Sequence, residues 1–200
     1  MSSVIWTDTK STTKKSREPE SLEIPRRDKN TKMITINITH DQVKRAEELY
    51  PFNVLNGSIT NGSSNIYGAL GEVVFQDYLS ENHNVVICGN YDYDLKVDGY
   101  RVDVKTKRTT VVPKENYNCS ISSWNTTQEC DFYFFCRVSV DKKKAYILGY
   151  ISKKDFYEKA TFNKKGEKET DIFYFKDNCY NLPISDLHKF KNYINDNNWK

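Results

Sequence analysis

The stretch 91–108, YDYDLKVDGYRVDVKTKR, constrains the fold more than any other part of the chain. It divides into two short arms with alternating side chains, 93–97 and 100–106, joined by Asp98-Gly99. An Asp-Gly pair between such arms predicts a tight hairpin, because both central residues of the favoured turn take positive φ. Period-two geometry sends Arg101, Asp103 and Lys105 to one face of the second arm and Val102, Val104 and Thr106 to the other. A face carrying guanidinium, carboxylate and ammonium side by side is costly to bury. It is either a solvated face with weak surface pairs or the wall of a site.

Asp94 lies in the first arm, nine positions before Asp103, so a hairpin brings two carboxylates within reach of one divalent ion. Mg2+ takes carboxylate and phosphate oxygens. Lys105 beside it is suited to orient a water and to steady charge on a phosphorus centre. The chemistry this supports is phosphodiester hydrolysis. Asp94, the triplet Asp103-Val104-Lys105, and Glu72 following Gly71 in a helical segment together resemble the PD-(D/E)XK nucleases, the restriction-endonuclease-like superfamily, over residues 65–155. The resemblance implies metal binding by Asp94, Asp103, the Val104 carbonyl and Glu72, with Lys105 assisting the water. Tyr93 stands where the motif's name has proline, and Asp92, on the same face by period two, competes with Asp94 for the first metal position.

The chain has 200 residues, 38% hydrophobic and 14% aromatic, enough for one domain with a real core. Its formal charge of +3 neither requires nor excludes nucleic acid. Basic clusters occur at Lys14-Lys15-Arg17, around Arg26-Arg27, at Lys105 to Arg108, at Lys142-Lys143-Lys144 and at Lys153-Lys154. Either they are solvated faces or they supply phosphate contacts, with Lys107 and Arg108 the expected nucleic-acid contacts. Five cysteines form no CxxC pair and read as free thiols, and Cys119, Cys130 and Cys136 are poorly spaced for zinc. No apolar run suits a membrane span or signal peptide, which points to work inside a cell, in the cytoplasm or a host cell interior. Richness in Asn, Lys and Tyr suggests an A/T-rich microbial or viral genome.

Residues 1–31 are too polar to offset ordering and read as a flexible arm, leaving 32–200 as the nuclease-like domain. Residues 33–38 alternate like a strand. Thr39 and Gln42 form a capping box for a helix over 40–50 with Val43, Ala46, Leu49 and Tyr50 inward. A turn-rich loop, 52–64, precedes a helix over 65–79 with Ile66, Ala69, Leu70, Val73, Val74 and Tyr78 as its apolar arc and Glu72 on its border. Residues 85–88 read as a central strand with Cys88 in the core. Tyr117 and Trp124 either flank the core, the plainer reading, or stack on a base. A short helix over 126–129 would place Gln128 at the site. Strands are expected over 131–140, 145–151 and 171–175, a Ser152-capped helix to Ala160, and a last helix from Ser185 with Leu187, Phe190, Tyr193 and Ile194 inward.

The predicted fold class is α/β, a mixed β-sheet flanked by helices with a restriction-endonuclease-like core in a single domain. The leading functional expectation is a Mg2+-dependent deoxyribonuclease, an endonuclease with Mn2+ as substitute, serving viral or microbial DNA processing, repair or recombination. DNA is the expected partner, and a homodimer could supply recognition through its loops. The alternatives are a non-catalytic nucleic-acid-binding protein on a degenerate nuclease fold and a small assembly protein with a charged hairpin.

Overall fold

A computed structural model describes residues 33–49, 65–169 and 173–190. The expected arm over 1–31, the loop over 52–64, Tyr50, and Tyr193 and Ile194 of the expected last helix lie outside these residues, as does part of the strand expected over 171–175. The element order is β1 (Ile34–Asn37), α1 (His40–Leu49), α2 (Asn65–Ser80), β2 (Val85–Ile87), β3 (Leu95–Val97), β4 (Tyr100–Thr109), β5 (Asn118–Ser122), a 3-10 turn (Ser123–Thr127), β6 (Phe132–Ser139), β7 (Lys144–Ser152), α3 (Lys153–Lys159), β8 (Thr161–Asn163), β9 (Cys179–Pro183) and a second 3-10 turn (Ile184–Asp186).

Six strands form a mixed sheet in the order β1-β7-β6-β4-β3-β2, and β5-β9-β8 form a second, three-stranded sheet. Neighbours in the large sheet run antiparallel except β4 and β6, which run parallel, with Asp103 beside Tyr133, Lys105 beside Phe135 and Lys107 beside Arg137. The architecture is therefore a mixed sheet flanked by helices, an α/β fold in the general sense.

Strand alternation divides the core in two. Val102, Val104, Phe134, Cys136 and Val138 point to the helical face, where they meet Leu70, Val73, Val74 and Phe75 of α2 and Ala46 of α1. Tyr133, Phe135 and Leu148 point the other way, onto Ile121 of β5, Leu182 of β9 and Phe156 of α3. The alternation in β7 changes phase at a bulge, since Phe135 faces Gly149 while Cys136 faces Ile147. Gly149 is required there: its φ is +144°, and a Cβ would lie 2.3 Å from the His188 carbonyl oxygen.

The capping box forms as expected. The Thr39 amide donates to Gln42 Oε1 at 2.9 Å and the Gln42 amide to Thr39 Oγ1 at 3.2 Å. The inward stripe of α1 is shifted, because Gln42 is buried and donates to Asp77 of α2, while Leu49 is exposed. Ser152 Oγ accepts the Asp155 amide at 3.0 Å and starts α3. Strands β6 and β7 match their expected segments closely.

Other expectations are corrected. Among the described residues strand β2 is an edge, paired only with β3, and Val86 is half exposed, so an apolar run of this length did not mean a central strand. Cys88 lies after the strand and is only half-buried. No helix begins at Ser185. The chain instead makes a 3-10 turn and then an extended bridge in which Tyr150 and His188 exchange two backbone hydrogen bonds. Leu187 and Phe190 still point inward, Phe190 packing on Phe75, Phe134 and Tyr150. Of the strand expected over 171–175, the described residues 173–175 pair with 166–169 through the Lys168–Tyr174 bridge and backbone hydrogen bonds of Phe173 and Phe175. Among the described residues no helix is long and apolar enough to cross a membrane.

Candidate functional site at the hairpin rim

The β3-β4 hairpin turns as its Asp-Gly pair requires, with φ of +50° at Asp98 and +92° at Gly99. The Asp98 carboxylate is used locally, accepting the Asn84 amide at 2.9 Å and lying 2.6 Å from His83 Nδ1. The first arm is shorter than expected, so Asp92 and Asp94 precede β3 in a bent segment. The bend separates the two rivals. Asp92 Oδ1 accepts the Glu129 amide, whereas Asp94 Oδ2 accepts the Val104 amide at 2.6 Å.

In β4 the expected alternation holds, and Asp103 is buried although its face is not the valine face that packs on the helices: it is 3% exposed, between half-buried Arg101 and Lys105. Its Oδ2 lies 2.6 Å from Lys105 Nζ as an ion pair, and its Oδ1 accepts from Gln128 Nε2 at 3.2 Å. Lys105 Nζ also donates to Gln128 Oε1 at 3.1 Å and lies over the Tyr133 ring. Gln128 is itself buried. It donates to the Tyr91 carbonyl at 2.6 Å, and its own carbonyl accepts from Lys153 Nζ. A single amide side chain thus ties the hairpin to the segment after the 3-10 turn.

Burial, reinforced by the charges of Glu72 and Asp103, holds the Asp94 carboxyl well above the usual carboxylate range, against the opposing pull of the Val104 amide and Lys105. Burial likewise raises Asp103, with Lys105 and Gln128 pulling it down. Glu72, half-buried on α2, is close enough to act on Asp94 through its charge. Val104, expected to lend a carbonyl to a metal, contributes its amide to Asp94 and a buried side chain to the core.

The structure therefore brings Glu72, Asp94, Asp103 and Lys105 into one neighbourhood without the geometry that metal catalysis needs. Among the described residues no group of three or more His, Cys, Asp or Glu side chains is placed to hold a metal ion. The expectations of a metal-dependent phosphodiesterase, of a Mg2+ or Mn2+ cofactor and of Glu72, Asp94, Asp103 and the Val104 carbonyl as metal ligands are corrected on this finding. The physical reason is visible at the two aspartates: Asp94 Oδ2 accepts the Val104 amide, and Asp103 is neutralised by Lys105 and held by Gln128.

The rim carries what the carboxylates do not. Lys107 and Arg108 at the end of β4 are exposed. Trp124 is 71% exposed and Tyr91 65%, and the Tyr91 hydroxyl donates to the Trp124 carbonyl at 3.2 Å. Trp124 thus does not flank the core, while Tyr117 does, with Arg137 over its ring at 5.2 Å. Two participants escaped the sequence reading. Tyr91 gave no signal beyond its place at the hairpin's entry. Arg137 gave one, a lone cation within the otherwise apolar run of β6. No family model matches the chain, and no curated protein matches it in sequence.

Proposed function

We propose that this chain is a nucleic-acid-binding domain on a restriction-endonuclease-like core, in which the buried charges of the hairpin are structural. Its ligand is single-stranded DNA. The fold part of the proposal is supported by α2 packing on an antiparallel β2-β3-β4 unit, followed by β6 parallel to β4. The functional part is carried by one observation: two exposed aromatic residues, Tyr91 and Trp124, are tied by the hydrogen bond from the Tyr91 hydroxyl to the Trp124 carbonyl, at the entry of a hairpin whose second strand ends in exposed Lys107 and Arg108. Stacking on aromatic faces requires unpaired bases, and exposed lysine and arginine track phosphates without reading sequence.

The test is fluorescence anisotropy of a labelled single-stranded oligonucleotide between about 50 and 200 mM salt. Trp124→Ala is expected to weaken binding by about 1–3 kcal/mol, the effect of one lost stacking partner. Replacing both Lys107 and Arg108 by Gln is expected to flatten the slope of log K against log salt by about 1.4, about 0.7 per lost phosphate contact on a single strand. Asp103→Asn should bind as the parent does. Absence of binding at the lowest salt would overturn the proposal. So would cleavage of the oligonucleotide by the parent in magnesium that disappears in Asp103→Asn.

A further inference from the structure

Between the two sheets, behind the end of β4, lies a cavity of about 90 Å³ walled by Lys105, Lys107, Asn118, Ser120 and Arg137. It is far smaller than the roughly 300 Å³ at which pockets for drug-sized ligands begin. Phe135, Leu148, Thr106 and the thiols of Cys119 and Cys136 complete the wall, so the cavity is polar only in part, and its charged members are Lys105, Lys107 and Arg137. Lys105 is already neutralised by Asp103, so the charge left to the cavity belongs to Lys107 and Arg137, neighbours across the parallel pair.

Arg137 is the unusual member. Its residue is 8% exposed, and a buried guanidinium is normally paired with a carboxylate. Among the described residues Arg137 makes no ion pair. It donates one hydrogen bond, to the Asn118 carbonyl at 3.0 Å, and rests on the Tyr117 ring. A guanidinium has five N–H groups, and the Asn118 carbonyl takes one of them. Burial lowers its pKa, the mark of a charge incompletely compensated for lost water. The thiols beside it give no counter-charge near neutrality, because burial pushes Cys119 and Cys136 up to about 12. Glu169 favours the guanidinium at a distance, but its carboxylate accepts from Asn118 Nδ2.

We infer that this cavity seats the terminal phosphate of a nucleic-acid strand, with Arg137 and Lys107 as its cationic partners and Ser120 and Asn118 at its wall. The inference rests on the nucleic-acid-binding reading and deepens it: a strand whose bases stack on the rim places its end phosphate in a hole too small for a base. An internal phosphodiester carries a sugar on both sides and has no such entry. A 5′- and a 3′-phosphate share the chemistry, and the experiment separates them.

Oligonucleotides of one sequence carrying a 5′-phosphate, a 3′-phosphate or hydroxyl ends are compared by anisotropy with the full chain. One phosphorylated form is expected to bind at least about tenfold more tightly than the hydroxyl form, the effect of one charge-assisted hydrogen bond. Millimolar inorganic phosphate should remove that increment alone. Arg137→Gln should abolish the increment while hydroxyl-ended DNA binds as before. If Arg137→Gln fails to fold by circular dichroism, Ser120→Asp, which sets a carboxylate at the wall, is the deciding variant and should also abolish it. Equal affinity for all three ends, or an increment that survives the deciding variant, overturns the inference and leaves the binding proposal standing. No binding of any oligonucleotide overturns the binding proposal itself.

Discussion

Lys105 neutralises a carboxylate that the sheet has taken out of water, and Gln128 holds both partners. Removing either member leaves the other charged, buried and uncompensated. Lys105→Met and Asp103→Asn are each expected to lower unfolding stability by about 3 kcal/mol, the lower end for a broken buried pair because the Lys105 side chain keeps 20% exposure. Their combination should lose less than the sum, with a coupling on the order of 1–3 kcal/mol in a urea double-mutant cycle. Strict additivity would mean that the two side chains do not depend on each other. At this scale the sequence was readable where chemistry is local: Asp98-Gly99 makes its turn, Thr39 and Gln42 make their box, and Asp103 shares a face with Lys105. Whether carboxylate oxygens meet a metal or a neighbouring amide depends on angles between strands, which spacing does not encode. Arg137 illustrates the same limit, since its partners on β5 come from a distant segment.

Helix α2 approaches β4 so closely that Gly71 touches Thr106. A Cβ at position 71 would lie 1.9 Å from Thr106 Oγ1 and 3.0 Å from its Cβ, and that hydroxyl is buried without a hydrogen-bond partner. Gly71→Ala is therefore expected to destabilise by about 1–3 kcal/mol, as overpacking does. Adding Thr106→Ala removes the clashing oxygen and should recover most of the loss, read as the urea midpoint. A double variant as unstable as Gly71→Ala would exclude this contact as the cause. Helical period revealed α2, and dense apolar runs revealed β6 and β7. Strands β5, β8 and β9 were missed, because short segments such as Asn118–Ser122 have polar residues on one face and look like loop until a partner is supplied. The last segment misled for the reverse reason: Leu187 and Phe190 have helical spacing, yet they reach the core from an extended chain held by Tyr150.

For the whole molecule, titrating groups act on stability with opposite signs. The Arg101 hydrogen bond holds the Asp131 carboxyl below its usual range, so its contribution is present above the ordinary carboxylate pKa of about 3.9 and is lost as pH falls through the lower folded value. Asp94 is raised, chiefly by burial, so its contribution is full below that pKa and is lost as pH rises through the higher folded value. Melting temperatures of the parent, Asp131→Asn and Asp94→Asn across pH should therefore diverge in opposite directions. The deficit of Asp131→Asn is present at neutral pH and closes in acid, whereas Asp94→Asn gains on the parent as pH rises from about 4 towards 7. A constant offset for Asp94→Asn would contradict its raised carboxyl. The mixed α/β class was legible from the order of helical and strand patterns, but the second sheet and the strand order were not, because both depend on partners far apart along the chain. Strand β1 is the extreme case, with Ile34 paired to Ile147. A ribosome adding ~5–20 residues per second brings the second of these out on the order of ten seconds after the first. During synthesis β1 must wait for β7, its one sheet neighbour among the described residues, and the edge it forms is closed late.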